Sequence, residues 1–485
     1  MIKRPFEWLY AHLKWLRLEG LFAVIFLVFG ALFIIMTPPG WNTDEYDHSF
    51  RAYQLSTGNL LSEQVVTPGT GLKAYGGSVP TNLLKLYDET GAALPGAPGD
   101  VTTKVDTIYK DHPDVLTLKD DGSRSEINFS GAALYSPVAY ITSIPAFWLG
   151  KLLSLPFFTI IIIARILGML LAGLFFYLAI KYIPIGKWIV FAVALLPGVV
   201  VQAASLGTDA LQAGLVFLFL ALVLRLVYSP REPRVRNYAV LAGLGIALTL
   251  VKMVYAPIVL LVLALPFLKK EYRTRRHIIL GLATIVVAII PGLIWMHMVG
   301  YIDINSNPQA NIHLQESYIL QHPLVYLKTL YYTLFTNQQA ALGGIFGNFV
   351  WESAPLPAFY TYLASGAIIV SLFVKSKRET IRSVAMNMSN HLRITLAVVS
   401  AIIVALVSTA LYVYSTTLHQ SSVVGLQARY FIPVLPVLLL IFYGNVLKNQ
   451  KLAKVGIVLL LVVVLIGALL TVYQRLYQTL PLILS

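Results

Sequence analysis

The 485-residue chain contains no cysteine, which removes disulfides, thiolate nucleophiles and cysteine metal sites from its chemistry and leaves the redox compartment open. Charge is scarce as well: Asp, Glu, Lys and Arg make up 12% of the residues against 57% hydrophobic ones, a balance that excludes an ordinary soluble globular protein. Acids are the scarcer sign, 22 against 36 bases. There is no GxxxxGK[ST] loop, no GxGxxG turn, no Cys/His metal cluster and no convincing internal repeat, so nucleotide-driven chemistry is unsupported and any donor must be energised in another way.

What is abundant is apolar sequence. The mean hydropathy is +0.74. Runs such as 157–180 and 455–472 are each long enough to cross roughly 30 Å of hydrocarbon as a helix. The net charge of +14 is concentrated in short links, Arg231 to Arg236, Lys269 to Arg276, Lys375 to Arg382 and Lys448 to Lys454, as expected of cytoplasmic loops under the positive-inside rule rather than of a nucleic-acid surface. Lys3, Arg4, Lys14 and Arg17 precede the first apolar run, 21–36, which ends in Thr-Pro-Pro-Gly without a signal-peptidase site. The run reads as an uncleaved anchor with a cytoplasmic N-terminus.

Outward passage of this span makes 37–131 the first external loop, which holds 13 of the 22 acids and has the Gly, Pro, Thr and Asp content of a loop with short helices. Counting back from Arg231 leaves two crossings between 131 and 209. The stretch 132–150, with Pro137, Pro145, Tyr135, Tyr140, Phe147 and Trp148, is therefore expected to be re-entrant or interfacial. Short spans at 238–251 and 254–268 meet at Lys252, and a second external region, 297–355, carries an aromatic segment at 313–335 that suits the membrane surface. The expected fold is a single all-α, polytopic integral-membrane domain over 1–485 with about 11–12 transmembrane helices.

The stretch 38–54, PPGWNTDEYDHSFRAYQ, follows the first span. Locally it reads as a helix capped by Asn42, with Glu45 completing a capping box and Asp47 placed to pair with Arg51. Functionally, a carboxylate at the membrane surface can take a proton from a sugar hydroxyl. Asp44 and His48, with Asp209, are also ligand types for a divalent cation such as Mg or Mn. Three cations, Arg165, Lys252 and Arg429, approach the external side with Tyr255, Gln427 and Tyr430, a set suited to a phosphate. Snorkelling or pairing with acids is the structural alternative for each of them.

Asp44, Glu45 and His48 followed by Arg51-Ala52-Tyr53, then 135–140 (YSPVAY), Ser205 with Asp209, Lys252 with Tyr255, and 427–430 (QARY) before Pro433, resemble in order the bacterial membrane-protein family called domain of unknown function 2142. That family is in turn similar to the GT-C glycosyltransferases, which use polyprenyl-phosphate sugars on the outer face. The resemblance implies Asp44 as base or metal-site acid, Glu45 as its neighbour and Asp209 as second acid, with Lys252 and Arg429 on the donor phosphate. His48, Arg51, Tyr135, Tyr255, Gln427 and Tyr430 are then expected to contact substrate. The resulting expectation is a glycosyltransferase of the bacterial plasma membrane, moving a sugar to a glycan or lipid acceptor on the external face, with membrane lipids around it and no nucleic acid. A transporter or flippase of lipid-linked glycans, and a non-catalytic scaffold of a polysaccharide-assembly complex, are the alternatives.

Overall fold

The computed structural model describes residues 17–66, 73–90, 105–268, 272–302, 311–336, 344–350, 353–376, 388–444, 447 and 449–477. The readings placed on Lys3, Arg4, Lys14, Lys269, Lys270, Lys377, Arg378, Arg382 and Lys448 lie outside the described residues. Among those described, six helices are long and apolar enough to cross a membrane: Leu18–Met36, Phe157–Tyr182, Asp209–Val227, Arg275–Met298, Asn390–Ser415 and Gln450–Tyr477. Their starts follow local chemistry. The Ser389 hydroxyl accepts from Leu392 N, the Thr274 hydroxyl accepts from His277 N, and Pro156 precedes Phe157, where its missing N–H costs nothing. Asp209–Val227 is buried nearly all round and packs on Phe157–Tyr182, which makes it central. Arg275–Met298 instead leaves Ile279, Leu282, Val286 and Leu293 exposed, as befits a helix whose surrounding solvent is lipid.

Four shorter apolar segments, Val235–Val251, Met253–Pro266, Ala358–Ser371 and Ala428–Ile441, join a pair of short helices, Lys187–Ala194 and Pro197–Ala203. Together with the six long helices they account for the apolar stretches expected to cross, and the chain is an all-α polytopic membrane protein. Several of these segments are interrupted. Pro197 divides the buried pair, Lys252 takes an extended conformation (φ −150°, ψ 107°) between Val235–Val251 and the following 3-10 turn, and Pro433 lies inside the 3-10 stretch Ala428–Val434. The 132–150 stretch is a chain of short pieces, ending in Pro137–Tyr140 and Ser143–Leu152, none of them long enough to cross.

The reading of 37–131 as a loop with short helices needs correction. Three strands, β1 (Glu63–Val66), β2 (Lys73–Pro80) and β3 (Arg124–Asn128), form an antiparallel sheet in that order, with Gly76 opposite both Glu63 and Asn128. The Gly76-Gly77 pair, turn-like in composition, lies in the middle of β2. A Cβ on Gly76 would sit 1.8 Å from the Ile127 carbonyl oxygen, so the close approach of β3 requires the glycine. The Glu45–Ser56 helix packs against this sheet on one side and against Ser143–Leu152 on another, and so joins the external layer to the bundle. In the second external region, Pro323–Phe335 buries Tyr326, Thr329 and Thr333 and exposes Leu324, Leu327, Tyr331 and Phe335, the amphipathic pattern expected at a membrane surface.

Candidate functional site

Asp44 and Glu45 are consecutive but point to different places. Asp44 precedes the first turn of the Glu45–Ser56 helix with a left-handed backbone (φ 61°, ψ 6°), a conformation unfavourable for residues other than glycine and tolerated best by Asn and Asp. The expected capping box is absent: the helix has no side-chain cap, and the Asn42 contribution is a backbone carbonyl accepting from Glu45 N. The Asp44 side chain instead accepts from Arg429, while remaining 43% exposed. Its carboxylate is thus held at the edge of a cavity rather than spent on the helix.

Arg429 continues the charge chain. Its other terminal nitrogen lies 3.5 Å from Asp209 Oδ2, and Asp209 Oδ1 accepts from the Lys252 ammonium. Asp44, Arg429, Asp209 and Lys252 therefore alternate in sign, brought together from the first loop, a broken span, the start of the central helix and the junction of two short spans. Aromatic rings close around the cations. Lys252 Nζ is 5.4 Å from the Tyr135 ring centre and 5.6 Å from that of Tyr430, and Arg429 stands 5.2 Å from Tyr430. The Tyr255 hydroxyl donates to the Tyr430 carbonyl at 2.7 Å and fixes the backbone beside Arg429. The expected convergence of Asp44, Asp209, Lys252, Arg429, Tyr135, Tyr255 and Tyr430 is what the fold delivers.

A cavity of about 130 Å³ opens against this chain, lined by Asn42, His48, Asp209, Asn348, Gln427 and Arg429 among others. That is below the ~300–1,000 Å³ usual for ligand pockets. Three buried polar atoms here, Gln427 Oε1, Asn348 Oδ1 and Arg429 Nε, have no hydrogen-bond partner among the described residues. Buried groups of this kind ordinarily find partners, and three of them lie together at this cavity. Asn348 was missed from sequence; its lone signal is a polar residue in the Gly-rich 344–350 segment of the second external region.

His48 forms another wall. Its Nδ1 is 2.7 Å from the Tyr140 hydroxyl and its ring is 5.2 Å from that of Tyr135. Burial, opposed by the nearby Asp44 carboxylate, lowers its pKa to about 4, so the ring is neutral at physiological pH. Asp47, one residue earlier, goes the other way. Burial and the neighbouring Asp44 push its carboxyl well above the usual carboxylate range, and its Oδ1 has no hydrogen-bond partner among the described residues.

Four sequence readings are overturned here. Glu45 is fully buried away from the cavity: Oε1 accepts from Arg165 Nε at 2.6 Å and Leu206 N at 2.9 Å, and Oε2 accepts from Arg165 Nη2 at 2.5 Å and Gly40 N at 2.9 Å. Arg165, which also donates to the carbonyls of Thr37 and Pro38, is thereby committed to Glu45 and leaves the phosphate-binding set. Arg51 pairs not with Asp47 but with the Tyr135 carbonyl, Gln54, Ser62 and the Leu60 carbonyl, and is a positioning residue with no exposed surface. Finally, Asp44, His48 and Asp209 do not fit a divalent cation. Their donor atoms do not gather within 4.8 Å of one another, and both carboxylates already face cations.

No curated protein and no solved structure matches the chain. Residues 27–438, from the first span through the Arg429 segment, match the family described as Predicted membrane protein (DUF2142), and the chain belongs to that family.

Proposed function

We propose that the protein is a membrane glycosyltransferase of the GT-C type, moving a sugar from a polyprenyl-phosphate donor to a glycan or lipid acceptor at the external face of the bacterial plasma membrane. The observation that carries this reading is the alternating chain Asp44–Arg429–Asp209–Lys252 beside a cavity with orphaned polar atoms. Each cation is held by an acid that a phosphate oxygen can replace, Arg429 through paired N–H groups and Lys252 as a point charge. A donor phosphate arriving on these two cations frees the Asp44 carboxylate. Asp44 then takes the proton of the acceptor hydroxyl as its oxygen attacks the anomeric carbon, and the sugar–phosphate bond breaks with both electrons leaving on the polyprenyl phosphate. Attack opposite the leaving group inverts the anomeric configuration. Arg429 and Lys252 stabilise the departing charge, and no metal is needed for that role.

Movement of a lipid-linked glycan across the membrane is the second reading. It is favoured by the broken segments at Lys252 and Pro433, since discontinuous helices at a binding site are common in transporters. One experiment separates the two. Purified protein in lipid is given polyprenyl-phosphate sugars and candidate acceptors, and transfer is measured beside lipid scrambling. Transfer that falls about 100- to 10,000-fold in Asp44→Asn, the range for a lost general base, supports the enzyme. Scrambling without transfer, undiminished by the substitution, rejects it.

A further inference from the structure

A second and larger cavity lies at the opposite end of the Glu45–Ser56 helix, about 18 Å along the axis from Asp44 at the ordinary helical rise. It measures about 620 Å³ and shares no lining residue with the cavity beside Asp44. We propose that it holds the phosphate-bearing headgroup of an anionic membrane lipid.

The position of the cavity is the first argument. Its lining joins Phe157 and Ile160, in the first turn of a membrane-crossing helix, to Lys119 and Arg124 of the external layer, and Phe157 N donates to the Leu118 carbonyl where the two meet. The cavity thus crosses the boundary between hydrocarbon and water, the level at which lipid phosphates lie. Its chemistry follows the same division. Lys119 and Lys151 are exposed and, among the described residues, neither has an acidic partner, whereas Arg124 is held by Asp120 at 2.7 and 3.1 Å. Two unneutralised ammonium groups attract an anion, and the Ser154 hydroxyl, which lines the cavity with them, can donate to its oxygens; the Ser56 and Thr57 hydroxyls already donate to the Tyr53 and Gln54 carbonyls.

The apolar border supplies the second argument. Trp148 lines the cavity and is fixed by its indole N–H donating to the Ser56 carbonyl at 2.7 Å, yet the residue is 58% exposed. Beside it Leu152 and Leu153 are 78% and 57% exposed at the end of Ser143–Leu152. A Trp anchored at its polar end, followed by bare leucines, is the arrangement of an interfacial segment with acyl chains against it. Ser154, which lines the cavity, completes the turn with a left-handed backbone (φ 50°), sparsely populated for a non-glycine residue. An acyl chain against Leu152 and Leu153 places a headgroup at Lys151, and the cavity behind it reaches Lys119. A free phosphate would satisfy the lysines but would make no use of the apolar border, so the lipid is the better fit.

The test uses full-length purified protein exchanged into detergent containing phosphatidylglycerol or phosphatidylcholine, with retained lipid counted by native mass spectrometry. Preferential retention of phosphatidylglycerol is expected, weakened about 30-fold in K119Q/K151Q, the order of effect for two lysines near anionic headgroups. The control K110Q, which removes an exposed charge elsewhere, should leave retention unchanged. Excess inorganic phosphate should fail to displace the lipid. Equal retention of the two lipids, an unaltered double variant, or displacement by phosphate would each overturn the assignment. Both lysines are exposed, so the double variant is expected to keep the thermal transition of the parent, which separates lost binding from lost folding.

Discussion

Asp44 and Glu45 stand side by side in the chain and in opposite electrostatic situations. Glu45 faces Arg165 in a fully buried pair whose carboxylate oxygens are all engaged and which ties the end of the first span to Phe157–Tyr182 and to Leu206. Asp44 faces Arg429 at the rim of a cavity, half open to water, among groups that lack partners. The first arrangement is complete without any other molecule. The second is incomplete, and that difference, more than the presence of acids, marks which one meets a ligand.

The largest expected effect comes from breaking the complete pair. Glu45→Gln leaves the Arg165 guanidinium buried with its charge uncompensated and should cost about 3–5 kcal/mol of stability. Thermal unfolding of the solubilised protein reads this, and Glu45→Gln with Arg165→Met should recover part of the loss; an unshifted single variant would mean that the pair is not a structural tie.

Acidification should act on the other region. His48, with a folded pKa of about 4 against an ordinary value near 6.5, is bound to fewer protons in the folded than in the unfolded chain between those limits. Its contribution is fully present above pH 6.5 and lost as pH falls towards 4, to the extent of about 3 kcal/mol. The Asp47 carboxyl, whose folded pKa is raised, works against this trend: its buried neutral form is relatively favoured as pH falls. Unfolding measured across this window should therefore flatten in His48→Gln and steepen in Asp47→Asn. The same slope in both variants and the parent would exclude His48 as the source.

The smallest effect sharpens the contrast at a single backbone position. Asp44→Gly removes the left-handed penalty and, with it, the Arg429 contact, so the net stability change should be within about 1 kcal/mol of zero. Sugar transfer under the proposed mechanism should nevertheless be lost. A large destabilisation would place Asp44 with Glu45 among the structural acids.

Much of the membrane architecture was legible because its signals are local and redundant: a run of apolar residues reads as a span whatever packs on it, and basic clusters mark the links. Lys252 and Arg429 stood out because charge is costly at a membrane edge, and charge counting brought them to the same face as Asp209; their pairing with Asp209 and Asp44 was the structural alternative to holding a phosphate. Glu45 was misread because a capping box is a local pattern, whereas its true partner lies 120 residues away, and nothing in the sequence around either announces the other. Arg51 was misread for a related reason, since backbone carbonyls such as those of Tyr135 and Leu60 compete for a guanidinium without leaving any trace in composition. The sheet was hidden because Gly76 and Gly77 carry no side-chain alternation to read.

The pair of helices Lys187–Ala194 and Pro197–Ala203 relies on distant parts of the chain for its cover. Most of its residues have no exposed surface, and the backbone is broken at Pro197 in the middle of the bundle. Interrupted backbone is tolerated at membrane depth where protein covers it, so this element cannot rest alone in lipid as its neighbours can. Its final enclosure involves Gln450–Tyr477, the last long helix, as well as Leu18–Met36, the first. The broken backbone at Pro197 is thus covered by helices from both ends of the chain, so a segment that is local in sequence depends for its enclosure on packing that is not.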